Sequence, residues 1–174
     1  MENSKGIKIK YLDTSSIAKL YLQEDGSSRF RTYFDTHTNF CTVHMTFYET
    51  MNVLKSRLFS GSNKDKYYDA VEDLAIQGWG GKIELELIDL SKRGVFKEVS
   101  KLASENNLDV ADAVQIYAIL KGKYGHWSQD SASVLITADG PQEKAAEKYG
   151  ICVWNCRTTE KPEWLDNLGD GGHV

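Results

Sequence analysis

Short apolar runs alternate with longer stretches of helical period along this chain. Residues 7–12 (IKIKYL) predict a strand that ends at Asp13, followed by helices over residues 15–22 and 27–36 with Gly26-Ser27-Ser28 between them. Phe40-Cys41-Thr42-Val43 predicts a second strand. Over residues 44–58, Phe47, Met51, Leu54 and Leu58 fall on one helical stripe, and Gly61 stands just beyond. Tyr67, Tyr68, Val71, Leu74 and Ala75 repeat the pattern over residues 63–77, so these two helices are expected to form a hairpin. Residues 83–88 (IELELI) alternate like a strand, and 92–105 read as an amphipathic helix through Val95, Val99 and Leu102.

The remaining elements are a helix over 108–120, apolar round most of its circumference and so buried on several sides, a strand over 133–137, a helix over 142–148 and a strand over 151–154. Strands alternating with helices predict a three-layer α/β/α fold with a mostly parallel central sheet. With two prolines and no internal repeat, one domain is expected over residues 1–158. Residues 159–174 form a C-terminal tail, and its Gly- and Asp-rich end from 166 onward is expected to fray.

Composition narrows the class without naming a function. A 174-residue chain that is 41% hydrophobic and 11% aromatic has the make-up of an ordinary globular domain. No apolar run reaches membrane-spanning length and the first residues do not resemble a signal peptide, so a soluble, cytoplasmic protein with no membrane association is expected. The odd set Cys41, Cys152 and Cys156 fits no zinc spacing and reads as reduced thiols in or near strands. His37, His44, His126 and His173 are scattered, which gives a histidine triad or zinc site little support. A net charge of -4 argues against a general nucleic-acid coat but leaves room for a nuclease, because bound divalent metal offsets repulsion between an acidic site and phosphate.

The candidate chemistry is carboxylate. Ligands of open α/β sheets bind beyond the carboxyl ends of the strands, where Asp13 and Asp139 fall; each taken singly reads better as a cap or turn residue, and the pair together points to a site. Glu49 lies off the main apolar stripe of its helix yet shares a face with Met45 and Val53, an ambiguous setting between surface and partial burial. Asp112 shares its face with Ile116 and Ile119, and Asp109 either caps the same helix or joins the site. Several acids meeting without a basic partner call for a hard divalent cation with oxygen ligands, Mg2+ or Mn2+. Ser15 is placed to orient Asp13 or a bound water, and Lys55, Arg57, Lys64 and Lys66 are candidates to guide a phosphate backbone, though such a run is usually a solvated face.

The motifs at residues 11–21 (YLDTSSIAKLY), 47–54 (FYETMNVL), 112–118 (DAVQIYA) and 135–139 (LITAD) stand in the order and spacing of a known family. The chain resembles the PIN-domain family, in particular VapC-type toxin ribonucleases of toxin–antitoxin modules. The resemblance covers most of residues 8–155. It implies a PIN-like fold and an acidic quartet of Asp13, Glu49, Asp112 and Asp139, beside which Ser15 and Thr137 are expected as supporting residues and Asp109 is the additional candidate ligand. It further implies Mg2+- or Mn2+-dependent endoribonuclease activity, an RNA substrate, a homodimer and a small cognate antitoxin. Two features depart from the pattern: the additional acid Asp109, and the long connection over residues 121–130.

Other classes remain open at this stage. A housekeeping RNA-processing nuclease would use the same site, and an adaptor of the same fold would bind RNA or protein without cleaving it. A phosphatase with Asp13 as nucleophile would usually carry a second acid two residues on, where this chain has Ser15.

Overall fold

The computed structural model describes residues 9–59, 64–125 and 133–166. Its centre is a five-stranded sheet of order β3-β2-β1-β4-β5: β1 (Lys10–Leu12), β2 (Phe40–Val43), β3 (Ile83–Glu86), β4 (Val134–Thr137) and β5 (Val153–Asn155). Every pairing is parallel. The strands alternate with α1 (Thr14–Ala18), α2 (Ser27–Thr36), α3 (His44–Leu58), α4 (Lys64–Trp79), α5 (Arg93–Asn106), α6 (Val110–Lys121), α7 (Gly140–Lys148) and α8 (Glu163–Asp166).

The period-two alternation of the strands sorts side chains into two cores. Leu12, Phe40, Val134 and Ile136 join Ile17, Phe30, Phe47, Leu54, Leu74 and Leu165 on one face, under α1–α4 and α8. Tyr11, Cys41, Val43 and Leu135 join Val99, Val114, Ile116 and Ala146 on the other, under α5–α7. The expected three-layer α/β/α architecture is therefore present. Lys10 is fully buried in β1; its ammonium donates to the Thr38 carbonyl at 2.9 Å and lies over the Tyr33 and Phe40 rings, so a charged residue is accommodated inside the aromatic core.

Element ends depart from the sequence pattern for local reasons. The helix expected to reach residue 22 stops at Ala18, and i→i+3 bonds from Leu20 to Ile17 and from Tyr21 to Ala18 tighten the next turn. Buried Lys19 reaches the Asp25 carbonyl at 2.7 Å, while Arg31 donates to the carbonyls of Lys19, Leu20 and Leu22. Arg31 thereby satisfies the carbonyls that follow the end of α1, and Lys19 holds the loop beyond them. Strand β3 ends two residues early because its partner β2 turns into α3 at Val43, opposite Glu86, and Leu87 projects into solvent.

Gly26 begins α2 with φ +82, and a Cβ there would stand 2.0 Å from the Cys156 carbonyl oxygen, so only glycine fits. The expected tail starts inside packed structure, since the Trp154 indole donates to the Thr159 carbonyl and Leu165 is fully buried. Residues 167–174, residues 1–8 with the first two positions of the strand predicted over 7–12, and 126–130 of the long connection lie outside the described residues. Among the described residues, no helix is long and apolar enough to cross a membrane.

Candidate active site

The chain walks from β1 through β2 to β3 in one direction and then returns to place β4 on the other side of β1. The sheet order thus reverses between β1 and β4, the position at which open α/β sheets form a crevice beyond their carboxyl ends. Leu12 pairs with Ile136 there, which sets Asp13 beside Thr137, and the Asp13 amide donates to the Ile136 carbonyl at 3.3 Å.

Asp13 is 3% exposed and its carboxylate is held by donors from α1 and from β4. One oxygen accepts from the Ser16 amide at 2.8 Å, the other from the Thr137 hydroxyl at 2.8 Å, and the Ser15 hydroxyl reaches both. Ser15 in turn accepts from the Ala138 amide at 2.7 Å, and Thr137 accepts from the Asp139 amide at 2.9 Å. The two hydroxyls therefore tie the end of β1 to the β4–α7 turn and fix the direction of Asp13. Burial raises the pKa of Asp13, opposed by these hydrogen bonds.

The other acids arrive from three further segments. Glu49, half-buried on α3, accepts from the Thr14 hydroxyl, so the first turn of α1 positions it. Asp112, half-buried in the first turn of α6, is pushed up to about 8 by burial and then by the charges of Asp109, Asp13, Asp139 and Glu49. Those four charges bear on Asp112 only because the fold brings the segments to one place. Asp139 is the N-cap of α7, accepting from the Gln142 amide, and Asp109 is the N-cap of α6, accepting from the Asp112 amide at 2.9 Å. Asp13 likewise caps α1. Capping and membership of the acidic cluster are not competing roles, since a capping carboxylate keeps lone pairs free. The N-termini of α6 and α7 also direct partial positive charge at the cluster.

Behind the acids lies a polar brace that the sequence pattern did not reveal. The Leu12 carbonyl, immediately before Asp13, accepts from the Thr42 hydroxyl at 2.7 Å and from the Gln115 amide at 3.1 Å. The Gln115 oxygen accepts from the Thr46 hydroxyl at 3.1 Å, which links α6 to α3 beneath the site. Gln115 is fully buried. The available signal was a lone amide inside an otherwise apolar helical stretch, because a buried amide needs partners. Replacing Gln115 with Ala is expected to lower stability by about 1–3 kcal/mol, since Thr46 then loses its acceptor. An unchanged urea midpoint with unchanged slope would refute this.

Among the described residues, no group of three or more His, Cys, Asp or Glu side chains is arranged to hold a metal ion as it stands. The donor chemistry nevertheless fits a hard divalent cation: every contributor is a carboxylate oxygen, and burial, followed by repulsion from the neighbouring acids, lifts Asp112 far above the ordinary aspartate range. Three of the four basic candidates, Lys55, Arg57 and Lys64, are engaged elsewhere. Arg57 pairs with Glu24 at 2.6 Å, and Lys55 and Lys64 lie over the Phe59 ring. Cys41 and Cys156 are buried free thiols and Cys152 is exposed.

No protein-family model matches this chain, and no curated protein matches it. Among solved structures, the crystal structure of PAE2754 from Pyrobaculum aerophilum is similar to it, with a TM-score of 0.54 and 16% identity over 84% of this chain and 89% of that one. At that identity the likeness bears on the fold alone.

Proposed function

We propose that this protein is a divalent-metal-dependent endoribonuclease of the PIN-domain type, acting as the cytoplasmic, homodimeric toxin of a toxin–antitoxin pair. The observation that carries the reading is the convergence of Asp13, Glu49, Asp112 and Asp139 from four separate segments at the switch point of a parallel sheet. Asp13, Glu49, Asp112 and Asp139 would hold Mg2+ or Mn2+, with Asp109 beside them. What the cation supplies when bound is activation of water and neutralisation of the charge that builds on a phosphodiester during hydrolysis.

The chain's own residues supply order. Ser15 and Thr137 fix Asp13, Thr14 fixes Glu49, and the α6 and α7 N-termini moderate the negative charge. The phosphatase alternative has less support, because the position where such enzymes usually carry a second acid is Ser15, whose hydroxyl here holds both Asp13 oxygens.

Incubation with mixed cellular RNA and Mn2+ or Mg2+ is expected to yield discrete fragments, and chelation with EDTA is expected to stop the reaction. Persistence of the RNA under every metal condition would end the nuclease reading. A small adjacent reading frame encoding a DNA-binding antitoxin is the observation that separates toxin from housekeeping enzyme.

A further inference from the structure

A groove of about 490 Å3 opens directly beside the acidic cluster, within the range of small-molecule subsites. His44, Tyr48 and Asn52 repeat every four residues along one face of α3 and form one wall, with Glu49 among them. Leu87 and Ala111 stand in the facing wall, and Ala111 is the neighbour of Asp112. The groove therefore includes one of the proposed metal-holding acids, Glu49, and reaches the residue next to a second, Asp112.

Its lining has the chemistry of a base pocket. Tyr48 is 57% exposed and Leu87 is 71% exposed, an apolar pair left in solvent on either side of the opening. The Tyr48 ring is set by tilted contact with His44 at 6.2 Å and by an edge contact with Phe47 at 6.1 Å, so it is a preoriented surface. The His44 Nδ1 is shut off from solvent, so the part His44 plays in this wall is its ring contact with Tyr48. Asn52, exposed at the far end of the wall, offers both a donor and an acceptor.

We infer that this groove is a nucleobase subsite for single-stranded RNA, in which Tyr48, held by the His44 ring, stacks on the base next to the scissile phosphate while Asn52 addresses its edge. The inference rests on the nuclease reading and names how that site selects substrate. Stacked aromatic and hydrogen-bonded edge contacts are the usual means of holding an unpaired base. They matter more here because a net charge of -4 leaves little nonspecific attraction for the phosphate backbone.

The test uses the full chain carrying Asp13→Asn, so that the probe survives, and measures binding of fluorescein-labelled single-stranded RNA by anisotropy in Mn2+. The probes are one mixed sequence and the same sequence with one abasic nucleotide at each position in turn. One abasic position is expected to weaken binding about tenfold, and adding Tyr48→Ala is expected to erase that difference, whereas Tyr48→Phe retains it. In the cleaving protein, Tyr48→Ala is expected to raise KM about tenfold with a smaller change in kcat, because stacking is lost equally from ground and transition states.

Equal affinity for every abasic probe, or an unchanged affinity in Tyr48→Ala, overturns the subsite. A Tyr48→Ala protein that dissociates to a monomer with undiminished RNA affinity assigns the groove to self-association and also overturns it. Cleavage by the wild-type chain is followed in parallel on the same RNA. Cleavage without base-dependent binding removes the subsite and leaves the nuclease reading, while base-dependent binding without cleavage does the reverse.

Discussion

Replacing Asp13 with Asn is expected to reduce metal-dependent RNA cleavage by at least about 10³-fold while leaving the fold intact. The size follows from the several kcal/mol that a metal centre contributes to stabilising a phosphoryl transition state, at about 1.4 kcal/mol per factor of ten. Two opposing effects keep the stability change small. The buried carboxylate is disfavoured by desolvation, so a neutral amide relieves a penalty. The amide also turns one acceptor into a donor in a setting where Ser15, Ser16 and Thr137 all donate to Asp13.

Asn still accepts from the Ser16 amide and keeps the α1 cap, whereas Ala would abandon it at about 1 kcal/mol and leave the hydroxyl donors without an acceptor. Asn is for that reason the informative substitution. Rates measured on a fluorescent RNA substrate and thermal unfolding of the same preparation check both halves. Cleavage within about tenfold of wild type would show that Asp13 is not in the reacting machinery, and a stability loss of several kcal/mol would make it a structural residue.

The contrast between what was legible and what was not follows the reach of each interaction. Strand β2 and helices α2 and α3 lie where the apolar spacing predicts, because that spacing is dictated by the core face they bury. The limits of α1 and β3 were not legible. One is ended by Arg31 reaching across a loop, the other by the loss of its pairing partner at Val43, and neither cause is local in sequence.

The site divides in the same way. Asp13 and Asp139 were visible because strand ends announce themselves, and Ser15 and Thr137 because they stand two residues from an acid that they touch or whose amide they accept. The supports that come from distant segments, Thr14 on Glu49 and Thr42 with Gln115 on the Leu12 carbonyl, appear only when the chain is folded. Asp109 is fixed as the cap of α6, and its charge is the largest single electrostatic influence on Asp112.

Asp112 provides the second large effect, in which one substitution is expected to stabilise the free protein and inactivate it. Its folded-state pKa of about 8 lies far above the unfolded aspartate value of about 3.9. Between those values the folded chain holds a proton that unfolding releases, so stability falls as pH rises through this window and levels off above pH of about 8. Asp112→Asn removes that slope. The variant is expected to exceed wild type by about 1–2 kcal/mol at pH of about 8 in the absence of metal, a figure discounted for the partial exposure of the side chain.

Added Mn2+ or Mg2+ is expected to reverse the order. Wild type gains stability and releases protons as the acids are charged, and the variant gains little and cleaves RNA at least about 10³-fold more slowly. Urea midpoints across the pH range, with and without metal, distinguish this from a purely local role. If Asp112 served only the first turn of α6, its loss would destabilise by a few tenths of a kcal/mol, with pH dependence and metal response unchanged. That outcome would remove Asp112 from the site, because a carboxylate raised by burial and by the charges of four other acids cannot be replaced by a neutral amide without altering the pH at which the cluster accepts a cation.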